Sequence, residues 1–189
     1  MAALDHACRR RWGAGILAVA CVLAVQAVSL RAQRPAEYQV KAAYLYGFGR
    51  FVEWPTSAAV AGDGAFVLCV LGDDPFGRLL DQAAEGGLLK KQPVSVRRID
   101  RAEDGGSCDT LFVSASEETR LPRILSVLAR RPVLTVGDSP DFAQRGGMIG
   151  FSVEGSRVRF TVNLAAAQDA GLMLQSELLR VAAAVLRAR

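Results

Sequence analysis

Asp73 and Asp74 stand side by side just after an apolar run, Phe66–Leu71 (FVLCVL), and their spacing is the first in the chain that could do chemistry. At the carboxyl end of a buried strand in an open α/β sheet, such a pair lies where ligands usually bind. Two carboxylates there could hold a divalent cation, as in phosphate-receiver domains. A receiver also needs a third aspartate after the next central strand, and that position reads Ser114, Ala115, Ser116. The competing reading is a turn whose aspartates hold backbone N–H groups and start the next helix, and the residues favour it. Gly47, Phe48, Gly49 and Arg50 make half of a dinucleotide fingerprint but lack its third glycine and fall within a helical pattern. They read as glycines that let a helix pack closely. The single histidine, His6, sits close to the N-terminus. The chain beyond it has no Ser-His-Asp or Cys-His arrangement, and a zinc site would lack its commonest ligand. No catalytic residue, metal site or cofactor is expected.

His6 belongs to a segment with its own logic. Arg9, Arg10 and Arg11 precede an almost wholly apolar stretch, 12–28, broken only by Gln26. A basic start, an apolar centre and small residues at its end make a secretory signal, here 1–32, with cleavage after Ala27 or Ala32. The apolar stretch is at the short end for a membrane span. Export would remove Arg9, Arg10, Arg11, Arg31 and the one acid Asp5, so the formal charge of +4 falls to +1. Lys90–Lys91 and Arg97–Arg98 are then isolated pairs rather than a phosphate-binding stripe, which argues against nucleic acid. Cys8 and Cys21 leave with the signal. Cys69 and Cys108 remain, in a compartment where two cysteines pair.

The remainder, 33–189, has the length of one domain and no linker, repeat or low-complexity tract. A helix is expected over 36–51, with Val40, Ala43, Tyr44, Gly47, Phe48 and Phe51 on its buried face and a stop at Trp54 and Pro55. A small-residue loop over 56–64 follows, then the strand 66–71, a turn, and a helix over 76–85. Strands at 94–99, 111–114 and 133–136 alternate with a helix over 119–130, which implies parallel pairing. Two strands at 148–153 and 157–162 then form an antiparallel hairpin. A short helix over 164–170 and a last one over 177–186, capped by Ser176, close the chain. The fold class is α/β, a mostly parallel sheet flanked by helices with a C-terminal antiparallel hairpin and helices. In a sheet of flavodoxin-like order the strands carrying Cys69 and following Cys108 are neighbours, so a disulfide is within reach. Two buried free thiols are the alternative.

Several stretches together resemble the YfiR/HmsC-like family of periplasmic regulators of membrane-bound diguanylate cyclases. They are VKAAYLYGFGRFVEWP (40–55), LCVLGDDPFG (68–77), CDTLFVS (108–114), PVLTVGDSPDFAQRGGMIGF (132–151), VRFTVNLAAAQDAGL (158–172) and SELLRVA (176–182). The resemblance implies a periplasmic α/β domain that represses a cyclase by contact with its periplasmic part, and a homodimer in some members. The family's well-studied type carries a second cysteine pair near the segment matching 142–151; this chain has none there.

The expected function is therefore binding, not turnover. Phe51 and Trp54 are the candidate anchors for a partner, with Arg50 and Glu53 setting orientation, since aromatics dominate binding hot spots. A satellite core cluster is the competing role for these rings. The expected partner is the periplasmic segment of a membrane-bound diguanylate cyclase or sensor kinase, with membrane contact only through it. The alternative function is a small-molecule sensor subunit using the strand edge at Asp73 and Asp74.

Overall fold

Alternate residues of the run 66–71 enter two different cores: Leu68 and Val70 one, Val67, Cys69 and Leu71 the other. That alternation, in a strand buried throughout, makes it the centre of a two-faced sheet. The computed structural model describes residues 36–55 and 64–187. The expected signal 1–32 lies outside the described residues, as does all but the last residue of the loop 56–64.

Helix α1 spans 36–48. It is followed by β1 (Val52–Glu53), β2 (Phe66–Leu71), α2 (Arg78–Ala84), β3 (Leu88–Leu89), β4 (Gln92–Ile99), a 3-10 helix (Ala102–Ser107) and β5 (Thr110–Val113). A second 3-10 helix (Ala115–Arg120) runs into α3 (Leu121–Leu128), then β6 (Leu134–Gly137), β7 (Ile149–Glu154), β8 (Arg157–Asn163), α4 (Leu164–Asp169), β9 (Met173–Leu174), α5 (Ser176–Val181) and β10 (Ala184–Leu186). The main sheet has the order β10-β8-β7-β6-β5-β2-β4-β3, and β1 pairs with β9 apart from it. Strands β4, β2, β5, β6 and β7 are parallel, β7 and β8 form the antiparallel hairpin, and β10 runs parallel to β8. The fold is thus the mostly parallel α/β sheet with a late hairpin that the patterns imply.

Several local expectations are corrected. Helix α1 stops at 48, because the Arg50 and Phe51 amides donate to Gly47 and Phe48 in a tight final turn. There a Cβ on Gly49 would stand 2.8 Å from Leu89 Cδ1, whereas Gly47 has open space around it. Close packing therefore explains Gly49 and not Gly47. The buried face of α1 is Lys41, Ala42, Leu45 and Phe48, while Val40 and Tyr44 are 44% and 37% exposed. Lys41 is buried with its partner, Asp138, which lies far along the chain.

The expected helix 177–186 is replaced in its second half by β10. Its residues Ala184, Val185 and Leu186 pair with Thr161, Val162 and Asn163, and the Ala183 amide donates to Phe160 at 2.8 Å. An unpaired edge of β8 captures a segment, rich in Ala with Leu186, whose local preference is helical, so the edge pairing overrides propensity. Gln175 rather than Ser176 occupies the cap position of α5, with no side-chain cap bond. Helix α3 begins at Leu121 because Pro122 suits a first turn, and the preceding stretch is 3-10.

Candidate functional site

Four places bear on function. The first is the corner after α1. Chain reversal there is held by the two-residue ladder Val52↔Leu174 and Glu53↔Met173, and by Gln175, whose amide donates to the Phe51 carbonyl at 2.8 Å. The Gln175 side chain also donates to Glu53 Oε1 at 3.1 Å, which leaves the exposed Glu53 tethered. Trp54 is half-buried against the core, with its ring 5.3 Å from Phe66 and nearly perpendicular to it. Its Nε1 is buried without a hydrogen-bond acceptor. Lys90 lies 5.9 Å from the same ring. Phe51 likewise packs on the core. Arg50 points back along the helix, with its guanidinium 5.2 Å from the Tyr46 ring. The structure thus gathers Phe51, Trp54 and Glu53 at one corner and aims Arg50 at Tyr46.

The second place is the carboxyl edge of the sheet. Asp74 is held: its Oδ1 accepts from the amides of Phe76 and Gly77, and its Oδ2 from Arg98 Nε at 3.0 Å. Arg98 also grips Asp81 with two 2.7 Å bonds and donates to the Gly77 carbonyl. This fork draws the Asp81 carboxyl below its ordinary value, chiefly through the Arg98 hydrogen bond, and Arg98 is held in its charged form by Asp81 first. Asp74 therefore acts as the turn-holding carboxylate. Asp73 is exposed, and its amide donates to Ser116 Oγ at 3.0 Å.

Beside them, at the carboxyl ends of β2 and β4, lies a cleft of about 250 Å³ lined by Leu71, Arg101, Glu103, Glu117, Arg120 and Arg123. Glu117 is buried, and Arg120 Nη2 stands 2.6 Å from its carboxylate. Arg101 and Arg123 reach Glu103 at 3.8 and 3.7 Å. These three guanidinium groups share the cleft with three carboxylates, Asp100, Glu103 and Glu117, so its charge is balanced. Sequence reading did not find them, because Arg101, Arg120 and Arg123 come from separate elements with no common motif.

The third place was also missed. Asp138, just past β6, accepts from Tyr38 OH at 2.8 Å and from Lys41 Nζ at 3.0 Å, within the interior. The fourth is the bond between Cys69 and Cys108, whose Cα atoms are 6.0 Å apart. It joins β2 to the segment entering β5. Asp109, next to it, accepts the Val67 amide at 2.7 Å, and burial raises its carboxyl above the ordinary range against the pull of that bond. Among the described residues no group of three or more His, Cys, Asp or Glu could hold a metal.

Two solved structures are similar to part of this chain. The first is the ABC domain in complex with L-Trp from Streptococcus pneumonia, at 10% identity and TM-score 0.47, with 64% of this chain and 55% of that one covered. The second is a conserved domain protein from Vibrio cholerae O1 biovar El Tor, at 11% identity and TM-score 0.48, with 64% and 54% covered. The chain spans about half the length of each. A family profile described as YfiR/HmsC-like matches residues 38–183, from the first turn of α1 to just before β10. With the domain matched across that length, the chain belongs to the YfiR/HmsC-like family.

Proposed function

We propose that this protein is a periplasmic regulator that binds the periplasmic part of a membrane-bound diguanylate cyclase and holds it inactive, lowering cyclic di-GMP and biofilm growth. Membership of the YfiR/HmsC-like family over 38–183 carries the reading. Segment 1–32 directs export and is removed, leaving 33–189 as a single domain that acts by stoichiometric contact without turnover. Phe51 and Trp54 supply apolar surface to the partner, and Arg50 and Glu53 orient it. Binding favours one state of the partner, so release shifts the population back. A sensor kinase is the other membrane partner with a periplasmic segment to offer, and a homodimer is compatible with either.

A second reading rests on the cleft lined by Arg101, Arg120 and Arg123 with Asp100, Glu103 and Glu117, which suits a small polar ligand sensed on behalf of the membrane partner. Deletion and complementation separate the two. Cyclic di-GMP should rise on deletion and fall with the wild-type chain, but fall less with Glu53→Lys, provided that variant keeps the wild-type circular dichroism spectrum and melting temperature. Unchanged cyclic di-GMP on deletion would reject cyclase repression.

A further inference from the structure

The outer side of β4 is open. β3 covers it only at Leu89↔Gln92 and Leu88↔Pro93, and among the described residues no strand pairs beyond that point. On the inner side β2 follows β4 from Val94 to Ile99, and the Ile99 carbonyl turns inward to Gly72. Parallel strands point successive residues to opposite sides, so Val94, Val96 and Arg98 direct their N–H and C=O groups outward. An edge of this kind is a template for one more strand.

Alongside it runs a groove of about 620 Å³ between α2 and the β3–β4 hairpin, lined by Ala84, Leu88, Pro93, Val94 and Val96 with Glu85 at its head. Leu88 is 62% exposed. Val94 and Val96 lie two apart, on one face of β4, and offer contacts to alternate side chains of an added strand. Charge selects the occupant. Arg78, Lys90, Lys91 and Arg97 are exposed around this edge, and among the described residues none of them makes an ion pair within 4.0 Å. Arg98 is committed to Asp74 and Asp81. In the groove itself Arg78 stands with Asp81 and Glu85, and Asp81 is taken up by Arg98. Glu85 is thus the one lining acid without an ion pair among the described residues, while Lys90, Lys91 and Arg97 flank the groove on the hairpin turn and on β4. A second copy pairing edge to edge would bring two such rows of cations into one seam, the device by which edge strands avoid self-association.

We infer that the β4 edge is a docking site for an extended, acidic segment of a partner protein, which joins the sheet as an added strand with its apolar residues in the groove. This rests on the reading that the protein acts by binding a partner, and adds a surface distinct from the Trp54 corner. Outward amides also make a clean variant available. Val96→Pro removes one outward donor and costs no bond to β2, since the Val96 amide faces away from it.

The test places the photo-crosslinker benzoylphenylalanine at position 97 of the full chain in its own host and maps the attached peptide. The expected product is an extended segment of another protein rich in Asp and Glu with alternating apolar residues. A synthetic peptide of that mapped sequence, added to the purified protein, should slow amide exchange at Val94, Val96 and Arg98 by about tenfold or more. Val96→Pro with an unchanged circular dichroism spectrum should abolish that binding. Arg97→Glu, which touches no backbone bond, should weaken it by about tenfold. A crosslink to a second copy, to another part of this chain, to a basic or helical segment, or to nothing overturns the inference. So does peptide binding that leaves the three amides unprotected. An acidic strand captured by a protein whose deletion leaves cyclic di-GMP unchanged would sustain the edge and reject the cyclase.

Discussion

Lys41 Nζ lies 3.0 Å from Asp138 Oδ2, across 97 residues of sequence, and both side chains are 4% exposed. The pair ties α1 to the carboxyl end of β6, and Tyr38 adds a hydroxyl to the same oxygen. Burying both charges is costly, and so is removing the lysine, because the Asp138 carboxylate then stays in the interior without that cation. Lys41→Met is therefore expected to lower stability by about 3–5 kcal/mol, whereas Lys41→Met with Asp138→Leu loses far less. Urea unfolding of the single and double variants measures both. A single variant within about 1 kcal/mol of wild type would remove the pair from the account of how α1 is held.

Reduction of the Cys69–Cys108 bond frees a loop of 39 residues. On chain-entropy reasoning the bond stabilises the fold by about 4 kcal/mol. Dithiothreitol should move the urea midpoint down, and Cys69→Ala/Cys108→Ala should reproduce the shift with no further response to reductant. Thiol titration of denatured, unreduced protein should find neither cysteine free.

Asp109 predicts a pH dependence of definite sign. Its carboxyl is raised above the ordinary 3.8 by burial, so the folded state prefers it protonated. Its contribution to stability is complete below that ordinary value and is lost as pH rises through the folded one. Asp109→Asn keeps an oxygen for the Val67 amide without the charge. It should match or exceed wild-type stability at pH 7 and lose that advantage as pH falls below the ordinary carboxylate range. Thermal melts across pH 3–8 decide it, and an Asn variant clearly less stable at neutral pH would show that the charge itself is needed.

Gly72 has φ +87°, and a Cβ there would meet Ser116 Oγ at 2.6 Å and Glu117 Cγ at 2.7 Å. Gly72→Ala strains the backbone at that φ and forces the Ser116 and Glu117 side chains, in the second 3-10 helix, to move. A loss of about 1–3 kcal/mol is expected. The same change should displace Glu117 and Arg120 from the cleft, visible as shifted Arg120 side-chain resonances. An Ala variant with an unchanged melting temperature would refute the tight approach of β2 to that helix.

What could be read from sequence was what a short window decides. FVLCVL is apolar without interruption, so 66–71 had to be buried on both sides, and it became the central strand. The hairpin 149–163 follows from two alternating runs around Glu154, Gly155 and Ser156, and the short helix after it was expected at the place where α4 stands. Asp74 as a turn carboxylate was also legible, because its amide partners are two and three residues away. The rest depended on partners far along the chain. Lys41 carries no sign of burial until Asp138 is brought beside it, and the buried face of α1 is turned from the expected one to Lys41, Ala42, Leu45 and Phe48. The segment 184–186 carries no strong strand signal; it became a strand because β8 offered an unpaired edge. The openness of β4 and the convergence of Arg101, Arg120 and Arg123 are likewise properties of sheet order and packing. Local propensity is summed over neighbouring residues, whereas the cost of a buried charge and the gain of an edge pairing are set by groups that only the tertiary structure brings together.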